Sequence, residues 1–157
     1  MKKLLINIGK KSKKAFIQKL SSKKKDKILN DYYYLINKNR KLIINENKKD
    51  IKNAIKKKVR KNLIQRLLLD DKKISIITSA IKKIIKLKDP TNKILEKWKR
   101  PSGLNISKIS IPIGVIGVIY ESRPNVTSDV ASLCFKSGNS VILLSLIHIS
   151  EPTRPIR

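Results

Sequence analysis

The strongest constraint on the fold comes from two short strand-like runs, residues 113–120 and 139–143, that flank one helix-length segment. The first run is nearly continuous in apolar residues, which is typical of a strand buried on both faces. Residues 126–136 between the runs fit a helix, and Gly138 is placed to end that helix in left-handed geometry. Strand, helix and strand within about 30 residues predict a βαβ unit and therefore a parallel sheet.

The first 88 residues carry a helical pattern, because apolar residues recur there at spacings of three and four. Ser21 and Ser22 can each cap a helix, and Asp70 and Asp71 suit the positive amino-terminal end of another. The predicted helices cover residues 3–20, a segment that begins after Ser22, residues 40–57 and residues 71–87. A short turn or helix is predicted over residues 62–69. The helix over residues 71–87 places Ile74, Ile77, Ile81, Ile84 and Ile85 on its buried side.

The pattern changes at Asp89-Pro90, because the residue before a proline is pushed out of helical geometry. Two alternating segments then flank Pro101-Ser102-Gly103, and this turn sequence predicts a β-hairpin. The predicted fold class is α/β, with amino-terminal helices, a hairpin and one βαβ unit. The predicted divisions are a helical segment 1–88, a linker and hairpin 89–112, the βαβ unit 113–143 and a tail 144–157.

The formal net charge of +27 invites a nucleic-acid interpretation, but the residue types weaken it. Lysine supplies 31 of the 38 basic residues, and lysine, isoleucine and asparagine, all encoded by A/T-rich codons, make up 70 of 157 residues. A phosphate-binding surface is expected to use more arginine for bidentate contacts. Surface lysines that reflect base composition are therefore favoured over a lysine-rich module that binds nucleic acid or anionic surfaces, which remains the alternative function.

Composition also limits the class of protein. No apolar run approaches the roughly 20 residues that span a bilayer, and the amino terminus lacks the long apolar stretch of a secretory signal. One cysteine, Cys134, excludes an internal disulfide and a cysteine-rich zinc site. We therefore expect a cytoplasmic protein with no metal site and no membrane contact.

The spacing of Gly114 and Gly117 does not form a dinucleotide-binding fingerprint. The continuous stretch around these glycines is far more specific as a family signature. The stretch reads IPIGVIGVIYESRPNVT over residues 111–127 and continues as DVASLC and KSGNSVIL through residue 143. It resembles the signature of the γ-glutamyl phosphate reductase family, in the aldehyde dehydrogenase superfamily. The upstream WKRPSGL at residues 98–104 is similar to the family's hairpin, and the resemblance covers about residues 10–143.

The resemblance implies an incomplete cofactor-binding domain of the aldehyde dehydrogenase type, here its amino-terminal helices, hairpin and first βαβ unit. Enzymes of this family reduce γ-glutamyl phosphate to glutamate 5-semialdehyde with NADPH in proline synthesis. A cysteine thiolate displaces phosphate to give a thioester, and hydride transfer then releases the aldehyde. Implied partners are the substrate, glutamate 5-kinase in the pathway and further copies of the full-length enzyme, with no nucleic acid. The catalytic cysteine of the family lies downstream of the matched region, so we expect this chain alone to be inactive.

The resemblance also assigns site residues. Asn125 takes the position of the superfamily's oxyanion-hole asparagine, because its amide can donate to the oxygen that becomes negative; by pattern alone it would be a helix cap. Ile119, Tyr120, Glu121 and Pro124 lie where the nicotinamide and ribose of the cofactor pass. Arg123 can neutralise a phosphate or carboxylate of the substrate, or it can form an ion pair with Glu121.

Cys134 and His148 are assigned no catalytic role. Cys134 lies on the apolar side of the predicted helix without a cationic partner in the pattern, so it is expected to be a core residue. Residues 144–157 resemble an in-frame translation of a transposase adapter used for sequencing libraries, and the last 21 residues contain no lysine. We therefore expect a non-native tail, which includes His148. A genuine tail would instead allow a short regulatory or structural protein.

Overall fold

The fold is mixed helix and strand, and the computed structural model describes residues 2–18, 20–121 and 123–145. Every predicted element is present within one to three residues of its expected bounds, which confirms the α/β class. The helices are α1 (Lys2–Ile17), α2 (Ser22–Lys38), α3 (Arg40–Lys56), α4 (Lys61–Leu67), α5 (Asp71–Lys86) and α6 (Pro124–Lys136). The strands are β1 (Ile94–Lys99), β2 (Asn105–Ile109), β3 (Val115–Tyr120) and β4 (Ser140–Ser145).

The predicted cap at Ser21 is confirmed, and Asp70 lies at the start of a helix as predicted. The Ser21 hydroxyl accepts from the backbone N–H of Lys24 at 3.4 Å before α2, and the Asp70 carboxylate accepts from the N–H of Lys73 at 2.7 Å before α5. Each side chain satisfies a backbone donor that has no partner within its helix. The sequence thus places these two helix starts correctly.

The core forms where α5 packs against α2 and α3. Its buried cluster contains Leu69, Ile74, Ile77 and Ile81, and the predicted buried side of α5 is confirmed. Tyr32 and Tyr33 pack against this cluster while Tyr34 is exposed, as expected for three consecutive tyrosines on one helix. The apolar sides of α2 and α3 are wider than the faces that these helices bury, because no described element covers their outer edges. The exposed members are Leu35, Leu42 and Ile55.

The βαβ unit is confirmed. Strands β3 and β4 pair in parallel, from Val115 opposite Ser140 to Tyr120 opposite Ser145, and α6 connects them. The expectation that β3 is covered on both faces is wrong for this structure, because its residues alternate between half-buried and exposed. Ile119, for example, is 67% exposed, since no described element packs on its face.

The hairpin of β1 and β2 is antiparallel and mostly exposed. Its turn follows the predicted Pro101-Ser102-Gly103 sequence, in which Gly103 adopts a φ of 86°. This positive φ explains the glycine, because residues with a Cβ rarely adopt it.

Two lysines are exceptions to the interpretation of the lysines as a surface bias. Lys25 and Lys136 are buried, and each is paired with a carboxylate, Asp89 and Asp26 respectively. The Lys25 ammonium also donates to the Thr91 hydroxyl at 3.2 Å and to the Lys136 carbonyl at 3.3 Å. This network, hereafter the lysine network, joins α2, the residues before β1 and the end of α6.

No helix among the described residues is long and apolar enough to cross a membrane. The predicted tail falls almost entirely outside the described residues, which end at Ser145. Leu144 and Ser145 continue β4, opposite Ile119 and Tyr120, so the strand runs two residues beyond its predicted end. The non-native origin of residues 144–157 stays a prediction.

Candidate functional site

The residues that the sequence singles out lie where β3 ends and α6 begins. Ile119 and Tyr120 are the last two residues of β3, and Pro124 and Asn125 are the first two of α6. Ligands of open α/β sheets bind outside the carboxyl ends of the strands, so this is the expected position for a site. Ser122, within the connecting loop, lies outside the described residues.

Asn125 occupies the first turn of α6 and is exposed. The residue at the capping position is Arg123, whose side chain makes no capping hydrogen bond, and Pro124 follows at the first helical position. The pattern-based alternative, in which Asn125 caps the helix, is therefore not what the structure contains. An exposed carboxamide at the positive end of a helix can donate to an oxygen that gains negative charge.

Glu121 forms an ion pair with Arg66 of α4. The alternative pair between Glu121 and Arg123 is not formed, although the backbone N–H of Arg123 donates to the Glu121 carbonyl at 2.5 Å. Within the described part of the chain, no carboxylate lies within 4.0 Å of the Arg123 guanidinium. Arg123 is exposed at the mouth of the site and can meet an anion.

Tyr120 links the end of β3 to the start of α6 through a side-chain hydrogen bond. Its hydroxyl and that of Thr127 are 2.6 Å apart and share a hydrogen bond. This contact joins the last residue of β3 to the first turn of α6, so it limits how far Asn125 can move relative to the strand end.

A cavity of about 580 Å³ opens beside these residues. Its volume falls within the roughly 300–1,000 Å³ typical of small-molecule sites. Sequence analysis missed its other wall, which α4, α5 and the loop between them supply. Nothing in the local pattern separates Arg66 or Lys73 from the many other basic residues on the helices. The lining residues are Asn62, Gln65, Arg66, Leu69, Lys73, Ile76, Arg123, Pro124 and Asn125.

A larger cavity, of about 910 Å³, lies elsewhere, between α1, α2, α6 and the start of β4. None of the predicted site residues lines it. The Ser132 hydroxyl, on its wall, is buried and has no partner among the described residues. The smaller cavity is therefore the candidate site, because it alone of the two contains Arg123 and Asn125.

Two ionisable groups on α6 are affected by burial. Burial raises the pKa of the Asp129 carboxyl, whose Oδ1 has no partner in the described ranges, and burial also raises the pKa of the Cys134 thiol. A thiol with a raised pKa is a poor nucleophile at neutral pH, since the thiolate is the reactive form. Cys134 lies in the interior, as predicted. Among the described residues, no three His, Cys, Asp or Glu side chains group as metal ligands.

The comparisons with known proteins agree on one enzyme. No family model matches the sequence. The γ-glutamyl phosphate reductase of Clostridium tetani is 43% identical over 145 residues, which cover 91% of this chain and 34% of that protein. The enzyme of the same name from Nautilia profundicola is 47% identical over 124 residues, which cover 79% of this chain and 30% of that protein.

Solved structures give the same result. The γ-glutamyl phosphate reductase of Thermotoga maritima superposes with a TM-score of 0.83 at 36% identity, over 90% of this chain and 34% of that one. The Saccharomyces cerevisiae enzyme of that name gives a TM-score of 0.82 at 30% identity, over 88% and 36%. The chain thus spans about a third of the relatives that it matches.

Proposed function

Because the chain belongs to the γ-glutamyl phosphate reductase family, we propose that it forms part of an enzyme that reduces γ-glutamyl phosphate to glutamate 5-semialdehyde in proline synthesis. The observation that carries the proposal is the candidate site itself, where Asn125 and Arg123 line one cavity at the carboxyl end of a parallel strand. The relatives' name supplies the substrate, and the cavity supplies groups suited to it.

Asn125 has the catalytic role in this proposal. Its carboxamide donates to the acyl oxygen of the substrate, which becomes negative when a thiolate attacks the neighbouring carbon. The first turn of α6 adds the partial positive charge of a helix amino terminus. Arg123 offers a guanidinium to a phosphate or carboxylate of the same substrate.

NADPH is the proposed cofactor, and it supplies a hydride when bound. The residues at the strand end fit a nicotinamide and its ribose, because apolar surface and polar groups lie side by side there. Ile119 is exposed and apolar, and Pro124 presents a rigid apolar ring at the start of α6. Glu121 follows with an exposed carboxylate that can accept from a ribose hydroxyl.

We further propose that the enzyme is cytoplasmic and homo-oligomeric, that glutamate 5-kinase supplies its substrate, and that it binds no nucleic acid. The lysines support the last point. They are distributed over several helices and the hairpin, and two of them, Lys25 and Lys136, are buried and paired with carboxylates. A nucleic-acid surface would concentrate exposed cations on one face.

This chain alone is expected to lack reductase activity. The proposed chemistry needs a thiolate, and the one cysteine of the sequence is buried on α6 with a raised pKa. In this proposal the thiolate belongs to the part of the enzyme that corresponds to the unmatched remainder of the relatives.

A hybrid enzyme tests the proposal: residues 10–143 of this chain replace the matching region of the Thermotoga maritima reductase. We expect phosphate-dependent reduction of NADP⁺ by glutamate 5-semialdehyde, the reverse reaction. Asn125→Ala should lower kcat about 10²- to 10³-fold, the usual loss for an oxyanion-hole donor. Asn45→Ala, an exposed position on α3, is the matched control and should leave kcat unchanged.

Thermal melting of each hybrid establishes that it is folded. A hybrid that melts cooperatively but shows no turnover would refute the proposed function. If the Asn125→Ala variant of the hybrid keeps full kcat, the proposed role of Asn125 is refuted.

A further inference from the structure

We propose that Arg66 binds the α-carboxylate of the amino-acid substrate and thereby selects a glutamyl compound over a simple aldehyde or acyl phosphate. The inference rests on the proposed function, because it assigns a further residue to the same cavity. It concerns recognition of the end of the substrate that does not react.

The first support is the position of Arg66. It lies on α4 and lines the cavity of about 580 Å³ together with Asn125 of α6. Two different elements thus contribute a group for the reacting acyl oxygen and a cation to one cavity. A γ-glutamyl substrate needs both, since several carbon atoms separate its acyl group from its α-carboxylate.

The second support is charge. Three cations, Arg66, Lys73 and Arg123, line the cavity, and among the described residues its lining includes no aspartate or glutamate. The Glu121 carboxylate, which pairs with Arg66, is not part of that lining. An anionic ligand is therefore favoured. Asn62 and Gln65 add amide groups to the same wall, and these can accept from a substrate ammonium or donate to a carboxylate.

The third support is the residue type. Arginine is scarce in this sequence, with seven residues against 31 lysines, yet two of the seven line this cavity. A guanidinium binds a carboxylate through two parallel hydrogen bonds, which an ammonium cannot do. Lys73 is less suited, because its ammonium already donates to the carbonyls of Leu68 at 2.5 Å and Gln65 at 3.3 Å.

The fourth support is the partner that Arg66 has in this structure. Its guanidinium pairs with the Glu121 carboxylate, so the group is already oriented toward a carboxylate. The two side chains are 37% and 51% exposed, and an ion pair this exposed contributes little to stability. A substrate carboxylate can therefore replace Glu121 at small cost.

The α-carboxylate is favoured over the phosphate as the ligand of Arg66. The phosphate leaves when the acyl group is transferred, whereas the α-carboxylate stays on the substrate until the aldehyde is released. A residue that holds the substrate through both steps must bind the part that remains. Arg123 is better placed for the phosphate. It lines the same cavity as Asn125, two positions before it in the chain, and has no carboxylate partner among the described residues.

The hybrid enzyme provides the test, since no other described strand borders β3 and β4 in this chain. Arg66→Gln should raise KM for glutamate 5-semialdehyde about 10- to 100-fold, the loss expected for a charge-assisted hydrogen bond. KM for phosphate and for NADP⁺ should stay within about twofold. Arg66→Lys should raise this KM by less, because lysine keeps the positive charge but cannot form the two parallel hydrogen bonds of a guanidinium. Arg40→Gln is the matched control, since Arg40 also pairs with a carboxylate, that of Asp71 at 2.9 Å, outside the cavity.

A binding measurement separates this inference from the proposed function. L-glutamate should raise the melting temperature of the unmodified and Arg40→Gln hybrids but not that of Arg66→Gln, whether or not any hybrid turns over. Butanal, which lacks the carboxylate, should be used equally by the unmodified hybrid and Arg66→Gln. An unchanged KM for the semialdehyde, or a rise confined to the KM for phosphate, would overturn the inference. If Arg66→Gln does not fold, Arg66→Lys decides on the same readouts, and an unchanged KM in that variant counts against it.

Discussion

At the scale of one residue, Lys25 shows that the number of lysines in the sequence does not tell how many of their charges lie on the surface. It is 3% exposed, and its ammonium is held 2.9 Å from an Asp89 oxygen. Burial raises the pKa of Asp89, but hydrogen bonds from the Thr91 N–H, Lys25 and the Thr91 hydroxyl, with the charge of Lys25, lower it more, so the net pKa lies below its ordinary value. A buried charge persists only when it is paired, and here each member of the pair depends on the other.

We therefore predict that Lys25→Met in the hybrid lowers the free energy of unfolding by about 3–5 kcal/mol at neutral pH, because the partly buried Asp89 loses its cation. Since the folded pKa of Asp89 is depressed, this stabilisation is present above its unfolded pKa and lost as pH falls through the folded value. Urea denaturation at neutral and acid pH measures the difference. Lys27→Met, at an exposed position of α2, is the control and should change stability by less than about 0.5 kcal/mol. An equal effect of the two substitutions would show that the lysine network is not a source of stability.

At the scale of the element, Gly138 decides how α6 turns into β4. Its φ is 73°, which favours glycine, and it ends the helix as its sequence position predicts. The structure adds a second reason. A Cβ at this position would lie 3.0 Å from the Thr91 methyl carbon and 3.2 Å from Pro112, so the turn also needs the absence of a side chain.

Gly138→Ala and Gly103→Ala form a matched pair that separates these two reasons. Both glycines have positive φ, but a Cβ at Gly103 would meet nothing within 4 Å. We expect Gly103→Ala to cost about 1 kcal/mol from backbone strain and Gly138→Ala to cost about 1–3 kcal/mol more from the added overlap. Urea denaturation of the two hybrids gives both values. Equal costs would mean that the contacts around Gly138 relax freely.

At the scale of the whole molecule, the parallel sheet contains two described strands. Strands β3 and β4 pair with each other, and no other described strand borders them. Large apolar side chains are exposed on and near the sheet, among them Ile113, at 85%, and Ile119. Unpaired strand edges with exposed apolar residues promote association.

We predict that the isolated 157-residue chain aggregates or remains partly molten, because the sheet cannot bury its apolar faces. Gel filtration, near-ultraviolet circular dichroism and binding of a hydrophobic dye measure this. The hybrid enzyme, in which the matching remainder covers the sheet, should melt cooperatively under the same conditions. A sharp melt of soluble monomeric chain would contradict the prediction.

Much of the fold was predictable because its signals are local. Helix periodicity, the cap at Ser21, the turn at Gly103 and the βαβ order depend on residues close together in sequence, and all are confirmed. The family was likewise predictable from one continuous stretch, residues 111–143. The roles of Asn125 and Arg123 stay predictions that the hybrid enzyme tests.

What only the tertiary structure decided depends on contacts between distant residues. Lys25 meets Asp89 across 64 positions, and nothing in the pattern of α2 marks it among its exposed lysine neighbours. The pairing of Arg66 with Glu121 and the cavity beside Asn125 arise because α4 and α5 pack near the end of β3. Sequence alone determined which segments become helices and strands, since backbone preference is set locally. Tertiary structure determined which charges are buried and which line the site, since burial is set by the neighbours that the fold brings together.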